Sequence, residues 1–373
     1  MSSTPTSEQP SQDNPSEQPT RLQWILKEHE KLTAEFSDSE RMKSIFQLPY
    51  IAIAYFDENG GSLSLDPYNV HLYIPRGALP ESHLQQVYIY VDPRAPPFDG
   101  FIPPDVALSP VVQCGPSGLK FLDRVVLSFP HCAKEGTGWQ LSARICSDDV
   151  TASNAWKAFD GDDDGIVVST KDNKVVLLMS HFCGAALAGQ PAESSAKRVK
   201  IGAFGGLLDS REDWFSVRVH VWNDEPVAKQ NVRSTENDLD PNSKPLDVYK
   251  DFEVYYNQAD VKAELKNVTD GWQVEDTHVQ TISKTRIWRN STNSVTFDLT
   301  RRQHCERSLR CEGFVYQTAP ESTDVWKGDE VRLLIRPPKA VISTSTDMQT
   351  RPLGDLCGTC DKGGVPNICV MCK

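Results

Sequence analysis

Short runs in which apolar residues alternate with residues of other kinds dominate the chain between residues 48 and 340. In one run, Val70, Leu72 and Ile74 are each separated by a single residue. A second run consists of Phe215, Val217, Val219 and Val221. This period of two is typical of strands that bury one face. Glycines and prolines separate the runs, as turns between short strands require, and the pattern therefore predicts an all-β fold.

The N-terminal part of the chain follows a helical period instead. Apolar residues and one histidine recur at Leu22, Ile25, Leu26, His29, Leu32 and Phe36. Thr20, followed three residues later by Gln23, is the pattern of a capping box that begins a helix. We predict an amphipathic helix over residues 20–37 that packs on the next domain; the alternative is a free helix that binds a partner, since amphipathicity suits both. Residues 1–19 are polar and low in complexity, and we expect disorder there.

Composition limits the class of protein. The 373 residues suggest two or three domains, and a hydrophobic fraction of 39% with eight tryptophans is enough to form cores. The net charge of -12, without a basic tract, disfavours electrostatic binding to nucleic acid or anionic lipid. The longest apolar run, residues 50–56, is far too short to span a membrane, and we expect no signal peptide. Ten scattered cysteines are typical of reduced thiols in a cytoplasmic protein.

The segment 108–133 carries the most specific signal in the sequence. Val112 favours a first strand, residues 115–118 contain two turn glycines, and residues 125–129 favour a second strand that ends at Pro130. The segment reads LSPVVQCGPSGLKFLDRVVLSFPHCA. It resembles the central motif of ZU-five (ZU5) domains. These domains occur in the cytoplasmic parts of uncoordinated-type netrin receptors, in ankyrins and in tight-junction scaffolds.

The resemblance extends to both sides of this segment. Upstream, the two glycines at 60–61 and the segment 70–80 are similar to the opening hairpin of a ZU5 domain. Downstream, residues 196–201 and 215–228 resemble the UPA domain that follows ZU5 in netrin receptors. Likeness of this kind covers roughly residues 55–340, and it is greater to the netrin receptors than to the ankyrins.

What the resemblance implies is a pair of tandem β-sandwich-like domains, ZU5 over residues 48–190 and UPA over residues 196–340. The implied function is that of a non-catalytic intracellular scaffold or adaptor in signal transduction, of the guidance and apoptosis type. Implied partners are signalling proteins, including death-domain proteins and netrin-receptor complexes. We expect a cytoplasmic protein that reaches the plasma membrane only through a partner, with neither a transmembrane helix nor a death domain of its own.

The C-terminal residues 353–373, which follow a Ser/Thr-rich linker at 341–352, contain paired cysteines. The pairs are Cys357 with Cys360, and Cys369 with Cys372. Four thiolates in a C-x2-C-x8-C-x2-C array can close a tetrahedral site, so the spacing predicts a structural zinc ion. The alternatives are exposed cysteines in an unstructured tail, or the first half of a larger zinc domain.

His181, Phe182 and Cys183 end a predicted strand at residues 175–179. In some relatives of the ZU5 family the corresponding position is His-Phe-Ser or Ser-Phe-Ser, and the chain cuts itself before the serine. That resemblance implies Cys183 as a candidate nucleophile, with His181 as its base and the cut between Phe182 and Cys183. Such chemistry needs a nearby base and a strained peptide bond. A plain buried strand is the alternative, and the glycine and alanines that follow depart from the self-cleaving pattern.

Other motifs favour structural roles. The acidic stretch 160–165 is similar to the first half of an EF-hand loop, but the twelfth position is Lys171, so we interpret the stretch as a surface turn. His131 and Cys132 are interpreted as turn residues, because no third catalytic group accompanies them. The sequence contains no nucleophile-elbow, phosphate-loop, dinucleotide-binding or zinc-protease motif. We expect no enzymatic activity beyond the single-turnover self-cleavage considered above.

Overall fold

The computed structural model describes residues 21–91, 105–146, 156–159, 167–209, 212–302, 308–318 and 330–339. Several predictions fall outside the described residues, namely the disorder at 1–19, the cap Thr20, the acidic turn at 160–165, the linker at 341–352 and the cysteine unit at 353–373. Within the described part of the chain, every helix is too short or too polar to span a bilayer.

Two antiparallel sheets form the first half of the described chain, which we call the first module (residues 46–190). Its strands are β1 (Phe46–Leu48), β2 (Ile51–Phe56), β3 (Gly61–Leu65), β4 (Val70–Ile74), β5 (Gln85–Tyr90), β6 (Val106–Ala107), β7 (Val112–Gly115), β8 (Lys120–Pro130), β9 (Gln140–Cys146), β10 (Trp156–Phe159), β11 (Val167–Lys171), β12 (Lys174–His181) and β13 (Gly184–Gln190). The larger sheet runs β1-β2-β5-β7-β13-β9-β10, with β6 also paired to β13. The smaller sheet runs β11-β12-β8-β4-β3. A 3₁₀ turn, η1 (Asp66–Tyr68), connects β3 to β4.

Alternate residues of both sheets point into one core. In β4, Val70, Leu72 and Ile74 are buried while the residues between them are exposed, as the sequence period predicts. Strands of the larger sheet contribute Val87 and Leu187 to the same core. The all-β, sandwich-like fold predicted from the sequence is therefore confirmed.

The segment with the strongest sequence signal crosses between the sheets. β7 belongs to the larger sheet and β8 to the smaller one, and the turn of residues 116–119 joins them. Gly118 has a φ of +76°, which favours glycine. Gly115 is required for a different reason, because a Cβ atom there would lie 2.0 Å from the ring of Tyr88. The unusual residues of this segment thus serve a tight crossing between two sheets.

The second module (residues 196–339) has two further antiparallel sheets. Its elements are β14 (Ala196–Gly205), β15 (Trp214–Asn223), α3 (Pro226–Leu239), β16 (Lys244–Pro245), β17 (Lys250–Tyr255), β18 (Val261–Lys266), β19 (Trp272–Val274), β20 (Val279–Ile282), α4 (Lys284–Arg289), β21 (Thr292–Arg301), β22 (Cys311–Gln317) and β23 (Val331–Ile335); the helices α1 (Arg21–Thr33) and α2 (Asp38–Lys43) precede both modules. The six-stranded sheet runs β16-β14-β15-β21-β19, with β17 paired to β14. The four-stranded sheet runs β20-β18-β22-β23.

Strand β15 is buried on both faces over its second half, which the alternating pattern did not predict. Val217, Val219 and Val221 fill the core between the sheets. On the opposite face, His220 and Trp222 are 4% and 1% exposed. Helix α3 covers that face, and its contacts with β15 explain the burial. The sequence interpretation of residues 196–340 as strands and turns was wrong for α3 and for the short α4.

The N-terminal helix α1 packs on the outer face of the larger sheet of the first module. Ile25 is buried there against Ile51 and Ile53. The helix ends at Thr33, whose hydroxyl lies 2.8 Å from the hydroxyl of Tyr55. Phe36 lies beyond the end of the helix, and Leu32, within its last turn, faces solvent, so neither shares the buried face that the periodicity predicted. They are 51% and 42% exposed.

Candidate functional site

Phe182 and Cys183, the predicted self-cleavage pair, lie at the corner between the two sheets of the first module. β12 ends at His181 in the smaller sheet, and β13 begins at Gly184 in the larger one. Both side chains are buried, at 0% and 1% exposure. The ring of Phe182 packs edge-on against Phe121, with ring centroids 4.7 Å apart. The corner is therefore part of the core rather than of a surface loop.

Backbone hydrogen bonds hold the peptide between Phe182 and Cys183. The N–H of Phe182 donates to the carbonyl of Leu119 at 2.9 Å, and the carbonyl of Phe182 accepts from the N–H of Gly118 at 3.3 Å. The carbonyl of Cys183 accepts from the N–H of Cys114 at 3.2 Å. The donor on the Phe182 oxygen lies where negative charge would develop if that carbonyl were attacked.

The thiol of Cys183 lacks the activation that a nucleophile needs. Burial, and to a lesser degree the neighbouring thiol of Cys146, raises the pKa of Cys183 to about 12. Nδ1 of His181 lies 3.5 Å from Oγ of Ser180. In the described part of the chain, no hydrogen bond joins His181 to Cys183. A buried thiol stays protonated near pH 7 unless a base removes its proton. The corner thus combines a positioned carbonyl with an unactivated thiol.

The described residues hold no candidate metal centre. Among them, no three His, Cys, Asp or Glu side chains are arranged to bind a metal ion. Their five cysteines are buried and form no disulfide, namely Cys114, Cys132, Cys146, Cys183 and Cys311. The predicted zinc ligands Cys357, Cys360, Cys369 and Cys372 lie outside the described residues. The zinc site therefore stays a prediction from spacing.

His131 and Cys132 lie where β8 meets the second module. Both are completely buried. Burial, assisted by the nearby Arg198, lowers the pKa of His131 to about 4, so its ring is neutral at pH 7. The carbonyl of His131 accepts a hydrogen bond from Nη2 of Arg198 at 2.5 Å, and the carbonyl of Cys132 accepts from the N–H of Arg198 at 2.7 Å. These contacts tie the pair to the second module.

Aromatic residues complete the junction of the two modules. Trp288 of α4 belongs to the core of the first module, and its ring centroid lies 5.4 Å from that of Trp139 and 5.1 Å from that of Tyr256. Nε1 of Trp139 donates to the carbonyl of Ala196 at 2.9 Å. The two modules accordingly belong to one compact unit.

A buried pair of opposite charges lies at the same junction. Lys197 of β14 is completely buried, and its ammonium donates to the carbonyl of Ile287 at 3.0 Å. Glu225, which precedes α3, is 5% exposed and faces Lys197. Burial raises the pKa of Glu225 to about 7, although the positive charge of Lys197 opposes the shift. Glu225 therefore exchanges a proton near neutral pH.

A groove of about 600 Å³ opens beside this pair, between η1 of the first module and α3 of the second. We call it the α3 groove. Residues that line it include Pro67, Trp222, Glu225, Lys229, Arg233 and Tyr249. Three of its buried polar atoms have no hydrogen-bond partner in the described structure, namely Nε1 of Trp222, Oε2 of Glu225 and the hydroxyl of Tyr249. The volume is within the usual range of ligand sites.

Sequence reasoning missed the α3 groove. Its lining comes from residues as far apart as Pro67 and Tyr249, so no local motif could indicate it. One signal was present, because Pro226 after two acidic residues is a common helix start. That signal would have predicted α3, but not the packing of the helix beside η1.

A family model matches part of the first module. Residues 52–146 match the ZU5 domain. The matched stretch lies inside the predicted range of 48–190 and runs from β2 to β9. It includes the crossing between the two sheets described above.

Three relatives illustrate the similarity to known proteins. Tight junction protein ZO-1 of Rattus norvegicus is 37% identical over 133 residues, which is 34% of this chain and 7% of that protein. The UNC5C-like protein of Mus musculus is 25% identical over 236 residues, which is 62% of this chain and 44% of that protein. The netrin receptor UNC5D of Rattus norvegicus is 28% identical over 196 residues, which is 48% of this chain and 19% of that protein. The chain spans less than half the length of each relative; it contains a ZU5 domain, which it shares with netrin receptors and a tight junction protein.

Proposed function

We propose that this chain is a non-catalytic scaffold or adaptor in intracellular signalling, of the guidance and apoptosis type. The observation that carries the proposal is the junction, which joins the ZU5-containing module and the second module into one compact unit. A compact pair of β modules presents a large surface to partners. The thiol of Cys183 is buried, and no hydrogen bond among the described residues joins it to His181.

The second module is, in this proposal, a UPA domain. Support comes from the similarity to the UNC5C-like protein, which covers 62% of the chain and so extends past residue 190. Partners would be signalling proteins, including death-domain proteins and netrin-receptor complexes. The site of action would be the cytoplasm, with recruitment to the plasma membrane through such a partner.

Self-cleavage between Phe182 and Cys183 is the second candidate, and one contact favours it. The N–H of Gly118 donates to the carbonyl oxygen of Phe182, which is the oxygen that would carry charge during an attack. In that reaction the Phe182 acyl group moves from nitrogen to the sulfur of Cys183, and the thiol proton passes to the freed amine. Water then hydrolyses the thioester to a carboxylic acid at Phe182 and a free thiol at Cys183.

Direct binding tests the scaffold function. The purified full chain would be titrated against the purified intracellular region of a netrin receptor and against an isolated death domain, with light scattering after size exclusion as the readout. We expect a defined complex with at least one of them at concentrations of about 10 µM. A chain that binds neither at about 100 µM, yet accumulates two fragments in a denaturing gel, would overturn the scaffold proposal in favour of self-cleavage.

A further inference from the structure

The α3 groove has buried polar atoms that find no hydrogen-bond partner among the described residues. Trp222 is 1% exposed, and its indole nitrogen can only donate a hydrogen bond. The hydroxyl of Tyr249 is likewise buried and unpartnered among the described residues. A buried donor without an acceptor has lost its hydrogen bonds to water with nothing in exchange, which destabilises the free protein. An oxygen atom supplied by a ligand would satisfy either donor.

Rigid apolar surfaces flank these donors. Pro67 and Tyr68 of η1 form one wall, and Pro226 at the start of α3 forms part of the other. The rings of Trp222 and Tyr249 meet edge-on with centroids 5.0 Å apart. Grooves lined by aromatic rings with unpaired ring donors suit an extended peptide, whose carbonyl oxygens point outward at regular intervals.

The rim of the groove is basic, although the chain as a whole has a net charge of -12. Lys229 and Arg233 are exposed and lie one turn apart on α3. Neither forms an ion pair with another residue that the structure describes. The ammonium of Lys229 lies 5.5 Å from the centroid of the Tyr249 ring, which directs its charge over the groove. These two cations would meet carboxylates of a ligand.

The remaining charges in the groove do not cancel this rim. Lys200 pairs with both Asp224, at 3.6 Å, and Asp251, and Nε of Arg198 lies 3.9 Å from Asp224, so two cations lie beside the carboxylate of Asp224. Glu225 lies before the first residue of α3, and its carboxyl faces the positive charge of the buried Lys197. The N-terminus of the 14-residue helix adds partial positive charge to the same end of the groove.

We propose that the α3 groove binds an acidic, extended peptide segment of a partner protein. Carboxylates of the peptide pair with Lys229 and Arg233, and its backbone carbonyls accept from Trp222 and Tyr249. The proposal names the surface through which the proposed scaffold would hold a partner, so its biological purpose rests on that function. The binding itself can be measured independently.

The test uses the full chain and a fluorescein-labelled hexapeptide of alternating glutamate and proline. Fluorescence anisotropy gives the affinity, for which we expect a Kd of about 10–100 µM. Matched hexapeptides of glutamine with proline and of lysine with proline serve as controls, and we expect each to bind at least about 10-fold more weakly. Equal affinity for the glutamate and glutamine peptides would overturn the proposal, since charge would then play no part.

Variants of the protein locate the binding. The double variant Lys229→Glu/Arg233→Glu should weaken glutamate-peptide binding by more than about 10-fold. Its control is Lys120→Glu/Arg124→Glu, which reverses the same two residue types at the same spacing on exposed positions of β8. Trp222→Phe keeps a ring but removes the N–H, and should weaken binding about 5-fold. Unchanged thermal unfolding would show that each variant is folded; a folded groove variant that binds as well as the control would reject the site.

Further outcomes show whether the groove binds a peptide or a small anion, and whether the groove proposal or the scaffold proposal fails. Complete displacement of the peptide by inorganic phosphate at about 10 mM would assign the groove to small anions and overturn the peptide proposal. Peptide binding by a chain that forms no complex with the receptor region or the death domain would support the groove and count against the scaffold. A receptor complex that survives Lys229→Glu/Arg233→Glu, with no peptide bound by the wild-type chain, would support the scaffold proposal and reject the groove as a peptide site.

Discussion

The guanidinium of Arg218 donates hydrogen bonds to the carboxylate of Glu236 from two of its nitrogens. Nε of Arg218 lies 2.9 Å from Oε1 of Glu236, and Nη2 lies 2.8 Å from Oε2. The hydroxyl of Ser243 donates to the same carboxylate, and Nε2 of His220 lies 2.6 Å from its Oε1. The side chain of Glu236 is 3% exposed. Burial alone would raise the pKa of Glu236, but these hydrogen bonds outweigh it and lower the pKa to about 2. This network fixes α3 on β15, and so it holds one wall of the α3 groove.

Glu236→Gln should lower the free energy of unfolding by about 3 kcal/mol at pH 7, because the partly buried guanidinium of Arg218 loses its charged partner. A carboxyl whose pKa is lowered stabilises the fold above its unfolded pKa of about 4.3 and ceases to do so as pH falls toward 2. The difference from wild type should therefore shrink below pH 4, as followed by urea unfolding. Glu312→Gln, in the pair with the exposed Arg332, is the matched control and should change stability far less, because solvent screens that pair.

Glu225 makes the stability of the fold depend on pH in the opposite direction. Its pKa is raised to about 7, so the native protein binds a proton that the unfolded chain releases at about 4.3. Stability should consequently fall as pH rises from 5 to 7.5, by about 2 kcal/mol. Lys197 and Asp224 are the charged groups that face this carboxyl. Glu225→Gln should flatten the profile, and an unaltered slope in that variant would show that another group titrates.

Val219→Asp should unfold the second module, because it places an unpaired charge in the core between the sheets. Val219 is 1% exposed, and the expected loss exceeds about 3 kcal/mol. Circular dichroism and the yield of folded protein would report the effect. Val248→Asp makes the same substitution at a position that is 67% exposed, and it should be neutral within about 0.5 kcal/mol. A folded Val219→Asp protein would contradict the assigned face.

Cys183 should remain joined to Phe182 in freshly purified and in aged protein, because burial keeps its thiol protonated. Intact mass spectrometry checks this expectation. If fragments of about 20 kDa appear instead, N-terminal sequencing should place Cys183 first in one of them. Cys183→Ala would then abolish the cut, Cys183→Ser would retain it slowly, and His181→Ala would slow it if that imidazole acts as the base.

The four C-terminal cysteines should bind one zinc ion per chain. Elemental analysis of metal-replete protein should give about one zinc, and the variant Cys360→Ser/Cys369→Ser should give none. Cys305→Ser, which leaves both cysteine pairs intact, is the control and should keep the metal. Equal zinc content in all three proteins would exclude this site.

Prediction from sequence succeeded where a pattern is local. The alternation in β4 and β15 and the turn glycines before β8 each follow from the geometry of a single strand or turn, and they sufficed for the all-β fold. It failed for α3, because Val227, Ala228 and Val232 are too few to form a clear helical stripe.

The candidate sites were harder to predict for a physical reason. Sequence placed Cys183 at a strand end, but only packing shows that Phe182 and Cys183 lie inside the core. The α3 groove depends on how η1 meets α3, and its two ring donors are 27 residues apart in the chain, at Trp222 and Tyr249. No motif expresses such an arrangement.

The position of β13 has a consequence for any experiment on native protein. This strand is an interior member of the larger sheet, hydrogen-bonded to β7 and β6 on one side and to β9 on the other. A break in the chain just before it would leave every one of those cross-strand bonds in place. The two pieces would migrate together as a single particle of unchanged size, so a cut and an uncut population would be indistinguishable until the protein is denatured.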